Sequence, residues 1–234
     1  MSTIVVGDVH GCAEEFAQVV ERAGFVPGRD VVVSVGDIID KGPDPIGAIR
    51  FARSIGCQMV MGNHEEKFVR WRRNERARVA TGRENQMKVS PAKAAQWAAF
   101  SDEDEAWIAS APWIRDVAGF KVVHAGMMPG VAVEAQKPSI ATRIRRVAGG
   151  KFSEESDATP WSEVWDQPHS VIVGHEVHSM TDVRVDVTAT GHRVWSIDTG
   201  CVYGGRMTAM VIEDSGDVRV VQVQASRAWA QARD

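Results

Sequence analysis

Ile4-Val5-Val6-Gly7-Asp8-Val9-His10-Gly11 opens the chain, and its pattern returns four times. A short apolar run ends and gives way to residues that bind metal. Val31 to Val35 precede Gly36-Asp37, and Met59-Val60-Met61 precede Gly62-Asn63-His64-Glu65. Val122-Val123 precede His124-Ala125-Gly126, and Val171-Ile172-Val173 precede Gly174-His175. Short β-branched runs bounded by Gly read as buried strands. In open α/β sheets, ligands gather at the carboxyl ends of the strands. The pattern therefore predicts that Asp8, His10, Asp37, Asn63, His124 and His175 converge on one rim. That is a two-metal site in outline.

Outward from these motifs, the first half alternates strand and helix. Phe16, Val19, Val20 and Ala23 fall on one helical face, and Gly24 ends it. A second helix runs through Ile46, Ile49 and Ala52 to Gly56. This βαβαβ order predicts parallel strands with right-handed crossovers. Residues 65–112 read as a helical insertion packed by Trp97, Phe100, Trp107 and Ile108, with Ser101 opening its last helix. Residues 127–168 read as a variable loop region over the site. The last third alternates like strands over 183–187, 194–197, 207–212 and 218–223, with turns at Thr190-Gly191 and Ser215-Gly216. These four strands are expected to form a second, mostly antiparallel sheet packed on the first. The whole chain, 1–234, reads as one α/β domain.

Composition bounds the function loosely. The 234 residues are 44% apolar and 25% charged, ordinary for a globular protein. A net charge of −4 argues against a mainly electrostatic nucleic-acid binder. Neither a signal peptide nor a membrane span is visible, so the expected location is cytoplasmic. Cys12, Cys57 and Cys201 lack metal-type spacing and read as reduced thiols; Cys12, just after the first motif, is either a reactive thiol or, the favoured reading, a small buried residue at a helix start.

The motif residues suggest their own chemistry. Asp8 and His10 can reach one ion, and Asp37 has two oxygens with which to bridge two. Asn63 offers a neutral carbonyl, and His124 and His175 complete a second shell. Carboxylate oxygen with imidazole nitrogen suits Mn²⁺, Fe or Zn²⁺ better than Ca²⁺. Two such ions can hold a bridging hydroxide in line with phosphorus. His64 is placed to protonate a leaving oxygen, Asp40 to orient it, and Lys41 to clamp phosphate. His169, His178 and His192 have no comparable setting and read as ordinary histidines.

Gly7-Asp8-Val9-His10-Gly11, Gly36-Asp37-Ile38-Ile39-Asp40-Lys41-Gly42-Pro43-Asp44, Gly62-Asn63-His64-Glu65, His124-Ala125-Gly126 and Gly174-His175 together resemble the calcineurin-like metallophosphoesterases, in their phosphoprotein phosphatase branch. The resemblance implies a four-layer αββα sandwich of two mixed sheets flanked by helices. It implies two divalent ions, Mn²⁺ first, with Fe, Zn²⁺, Ni²⁺ or Mg²⁺ as alternatives. One ion would take Asp8, His10 and Asp37; the other would take Asp37, Asn63, His124 and His175. His64 would be the general acid paired with Asp40, and Asn63, Lys41 and an Arg would bind substrate phosphate. Arg143, Arg145 and Arg146 compete for that last role, with Arg145 favoured.

The resemblance implies hydrolysis by direct attack of the bridging hydroxide on a phosphoester or phosphoanhydride. The substrate would be a phosphoprotein, as for Ser/Thr phosphatases, or a dinucleoside tetraphosphate, as for ApaH-like enzymes. Asp198-Thr199-Gly200-Cys201, His124-Ala125-Gly126-Met127-Met128-Pro129 and Lys41 in place of Arg pull toward the second. An RNA-end or nucleotide-end phosphatase is the alternative, supported only by the arginines from Arg70 to Arg78. That stretch otherwise reads as a solvated helix face salted by Glu65, Glu66 and Glu75. A non-catalytic metal-binding module is the remote alternative, since every motif ligand is present.

Overall fold

The computed structural model describes residues 1–231; the last three residues of the expected domain lie outside them. One sheet runs, edge to edge, through Val218–Gln224, Arg206–Ile212, Thr3–Val6, Val31–Ser34 and Gln58–Met59. Its last three strands are parallel, as the βαβαβ order predicts. A second sheet runs through Arg184–Val187, Arg193–Ser196, Ser170–Val173, Phe120–Val123 and Ile114–Val117.

The last four strands do not form one sheet, contrary to expectation. Only Arg184–Val187 and Arg193–Ser196 join the second sheet. Arg206–Ile212 instead pairs antiparallel with Thr3–Val6, and Val218–Gln224 pairs with it in turn. The cause is burial on both faces. Met207, Ala209 and Val211 pack toward the helices, while Met210 and Ile212 pack toward the other sheet. A strand with two apolar faces needs cover on both sides, so it sits inside the first sheet rather than at an edge.

Period-two alternation sorts the layers. Ile4 and Val6 face the helices Ala13–Arg22 and Pro45–Ser54, while Val5 and Val33 face the second sheet's Val122 and Ile172. On that sheet's outer side, Val123, Val171 and Val173 pack on Trp161, Trp165 and Ile144. This outer layer is the 127–168 segment. It holds the four-residue helix Pro138–Ala141, two 3-10 turns and a small sheet of Lys151–Ser153, Arg146–Ala148 and Thr159–Pro160.

Between Asn63 and Ala109 lie three helices, Asn63–Thr81, Pro91–Ala98 and Asp102–Ala109. Phe68 meets Trp97 and Phe100 edge-on or tilted, at 5.8 and 5.1 Å between ring centroids. Ser101 caps the last helix in a capping box with Asp104. The arginine face is salted differently from expectation. Arg72 and Arg76 pair with Glu105 and Asp102, and Arg70 and Arg78 with Glu66 and Glu75. Glu65 plays no part in it, because its side chain is turned inward to the site. No helix among the described residues is long and apolar enough to cross a membrane.

Candidate metal centre

Every motif residue leaves its strand on the same rim, and the backbone strains to get it there. Among the described residues six that are not glycine have positive φ, and five of them are His10, Asp37, Asp40, Lys41 and His175. Such torsions cost about 1–3 kcal/mol each and persist where surrounding structure enforces them. Glu65 supplies much of that enforcement. Its buried carboxylate accepts from the backbone N–H of Asp37 at 2.8 Å, Ile38 at 2.8 Å and Ile39 at 3.1 Å. Burial and the charge on Asp37 push the Glu65 carboxyl up to about 8, while its backbone donors favour the ionised form. Gly62 and Gly174 carry no side chain where a Cβ would collide with the carboxylates of Asp37 and Asp8. Those glycines are required by close approach, not by turn geometry.

The six expected ligands form one cluster, with Asp8, His10, Asp37 and His124 buried and Asn63 and His175 half-buried at its open side. His10 Nε2 lies 3.8 Å from Asp8 Oδ2 and 3.5 Å from Asp37 Oδ2. His124 Nε2 lies 3.5 Å from the same Asp37 oxygen and 2.9 Å from Asn63 Oδ1. His175 joins Asp37 and His124 on the second side. Asp37 thus stands between two groups of donors. His10 Nδ1 lies 3.1 Å from the Ile39 carbonyl, and His124 Nδ1 lies 2.9 Å from the Val35 carbonyl. A proton on each Nδ1 would leave both Nε2 lone pairs facing the cluster, the arrangement of metal-binding imidazoles.

The electrostatics fit cations. Burial lowers His10 to about 3 and also lowers His124 and His175, so all three rings are neutral near pH 7. Burial, then the charges of Asp198 and Asp37, raise the Asp8 carboxyl well above its ordinary range. Burial likewise pushes Asp198 up to about 6. Three buried acids crowd together, and His175 Nε2 is buried with no hydrogen-bond partner among the described residues. A divalent ion relieves both problems, so the donor set fits metal.

Beside the cluster, His64 Nδ1 lies 2.6 Å from Asp40 Oδ2, and its Nε2 lies 3.9 Å from Asp37. Lys41 Nζ lies 2.8 Å from His10 Nε2 and donates to the Tyr203 hydroxyl at 2.7 Å. The three arginines separate. Arg143 pairs with Glu66 at 2.7 Å and Arg146 with Glu176 at 3.3 Å. Arg145 is exposed, has no carboxylate partner among the described residues, and lines a cavity with Asn63 and His175. His178 lies 3.7 Å from Glu176, outside the cluster. All three cysteines are buried.

The model of the calcineurin-like phosphoesterases matches residues 1–221. The chain belongs to that family. Its members use divalent metals, and this chain is a metallophosphatase. It is 25% identical to the symmetrical bis(5'-nucleosyl)-tetraphosphatase of Aromatoleum aromaticum, over 97% of this chain and 98% of that protein. It is 26% identical to the same-named protein of Edwardsiella ictaluri, over 97% and 98%. A crystal structure assigned provisionally as a diadenosine tetraphosphatase superposes with a TM-score of 0.78 at 26% identity, covering 94% of this chain and 93% of that one. A yeast Ser/Thr phosphatase shares the fold alone, at a TM-score of 0.56 and 13% identity.

Sequence reasoning missed four residues of this phosphoesterase site. Lys93 and Trp97 donate to the two oxygens of Asp40 at 2.8 and 2.7 Å. They come from the helix Pro91–Ala98, and nothing local in their sequence announces the contact. Asp198 opens the Asp198-Thr199-Gly200-Cys201 stretch and Tyr203 lies two residues beyond it; the stretch carries resemblance to the tetraphosphatases rather than an assigned chemistry. The available signal was an acid directly after a strand-like run, Val194 to Ile197, with Gly200 close behind, as in the metal motifs.

Proposed function

We propose that this chain is a Mn²⁺-type hydrolase of dinucleoside tetraphosphates, cutting the central phosphoanhydride to give two nucleoside diphosphates. Arg145 carries the reading. It is a guanidinium with no ion-pair partner among the described residues, beside the ligand cluster, in a cavity of about 460 Å³. The names of the relatives that match nearly end to end agree with it.

Asp8, His10 and Asp37 would hold one ion, and Asp37, Asn63, His124 and His175 the other. When bound, the two ions supply an activated water and neutralise charge on the phosphoryl oxygens. Arg145, Lys41 and the Tyr203 hydroxyl bind phosphate oxygens. Arg145 grips two oxygens in its planar fork, whereas Lys41 acts as a point charge. Asn63 adds an amide donor to the phosphoryl group. His64 gives its proton to the leaving phosphate oxygen as the phosphorus–oxygen bond breaks. Asp40 fixes the ring that donates it. Lys93 and Trp97 hold Asp40 in turn, so the proton donor is aimed by a three-part support.

The nucleic-acid alternative loses its main argument, because Arg70, Arg72, Arg76 and Arg78 are spent on carboxylates. Purified protein with Mn²⁺ is offered diadenosine tetraphosphate, a phosphoserine peptide and 5'-triphosphorylated RNA. The expected result is ADP as the sole nucleotide product, with kcat/KM at least tenfold above the other two. AMP plus ATP as products, or preference for the peptide, would overturn the assignment.

A further inference from the structure

The cavity beside the cluster has a second wall. The edge strand Lys151–Ser153 of the small outer sheet reaches it, and Phe152 and Glu154 line it together with the arginines. Its volume of about 460 Å³ lies within the range of small-molecule sites. Two features stand out. Phe152 keeps 36% of its surface exposed although it lines the cavity. Glu154 is the one carboxylate among the lining residues and makes no ion pair within the described residues.

We propose that Phe152 is the seat on which a nucleobase of the substrate stacks, a role that rests on the dinucleoside tetraphosphate reading. An aromatic face left wet in a polar cavity gains by covering itself with another π-system, and stacking tolerates any base. Charge fixes the direction of the chain. Phosphates run along Arg145 and away from Glu154, whose carboxylate repels them. The base is then left to Phe152, and the Glu154 carboxylate can accept from its exocyclic amino group. Arg146 lies opposite Ser153 and Val147 opposite Phe152 in the strand pairing, so Arg145, just before the first strand, and Phe152 are built on one hairpin. That hairpin belongs to the 127–168 segment and to none of the metal motifs.

The test compares kcat/KM for diadenosine tetraphosphate with that for p-nitrophenyl phosphate, which has no base. In F152A the ratio falls at least tenfold, chiefly through KM for the dinucleotide, and inhibition by ADP weakens in step. In F152W the ratio stays within threefold of wild type, because a larger aromatic face restores the stack. An unmoved ratio in F152A, or a loss confined to a phosphoserine peptide, overturns the seat alone. Wild-type enzyme that hydrolyses p-nitrophenyl phosphate but not the tetraphosphate overturns the substrate reading and the seat with it.

Discussion

Asp40 Oδ2 lies 2.6 Å from His64 Nδ1, and the carboxylate making that contact is fully buried. The pair leaves His64 Nε2 as the ring's free end, facing the ligand cluster. If that end protonates the leaving oxygen, its value depends on how much the leaving group needs a proton. His64→Ala should slow hydrolysis of an alkyl phosphate by about 10²–10⁴-fold. The loss on p-nitrophenyl phosphate should be far smaller, since its leaving oxygen is already acidic. Steady-state rates on the two esters decide the matter, and equal losses would remove the general-acid role.

Trp97 offers a cleaner probe of positioning. Its indole N–H donates to Asp40 at 2.7 Å while its ring packs on Phe68 and Trp71. Trp97→Phe keeps an aromatic ring and deletes the donor. We expect kcat to fall about tenfold, within the range seen when an outer hydrogen-bond partner is lost, with KM nearly unchanged. A variant that loses stability yet keeps its kcat would contradict the account.

Glu65 is the anchor of the Asp37 loop. Glu65→Ala strands three buried backbone N–H groups, each costing about 1–3 kcal/mol when unpaired. Unfolding in urea should show a loss of at least about 3 kcal/mol on that basis, together with loss of activity. A loss below about 1 kcal/mol would mean that the loop holds its shape by other means.

Asp104 makes stability depend on pH. Burial opposes its ionisation, but Ser101 and Arg53 outweigh that and hold its carboxyl below the ordinary range. Arg53 reaches it at 2.5 Å. A carboxyl depressed in the folded state stabilises above its unfolded pKa, and the contribution fades as pH falls through the folded one. Asp104→Asn should therefore cost about 1–2 kcal/mol at pH 7. The gap to wild type should close progressively below about pH 4. A gap constant from pH 7 to pH 3 would show that charge is not involved.

The metal motifs were legible because strand ends and ligand types repeat together: five apolar runs, five polar termini, one rim. The parallel core and the capping residue Ser101 were legible for the same local reasons. The pairing of Arg206–Ile212 with Thr3–Val6 was not, because alternation reports that a strand exists and not which sheet takes it. Glu65 was misread as a surface charge, since its helix is otherwise lined with arginine partners and burial is a tertiary property. Lys93 and Trp97 escaped because their target, Asp40, is 53 and 57 residues away.

The central claim is that Asp37 is shared by two cations. Anomalous diffraction at the manganese edge, on a crystal soaked in Mn²⁺, tests it directly. We expect two peaks about 3.5–4 Å apart, one against Asp8 and His10, the other against Asn63, His124 and His175, with Asp37 touching both. A single peak, or two peaks that leave Asp37 out, would contradict it.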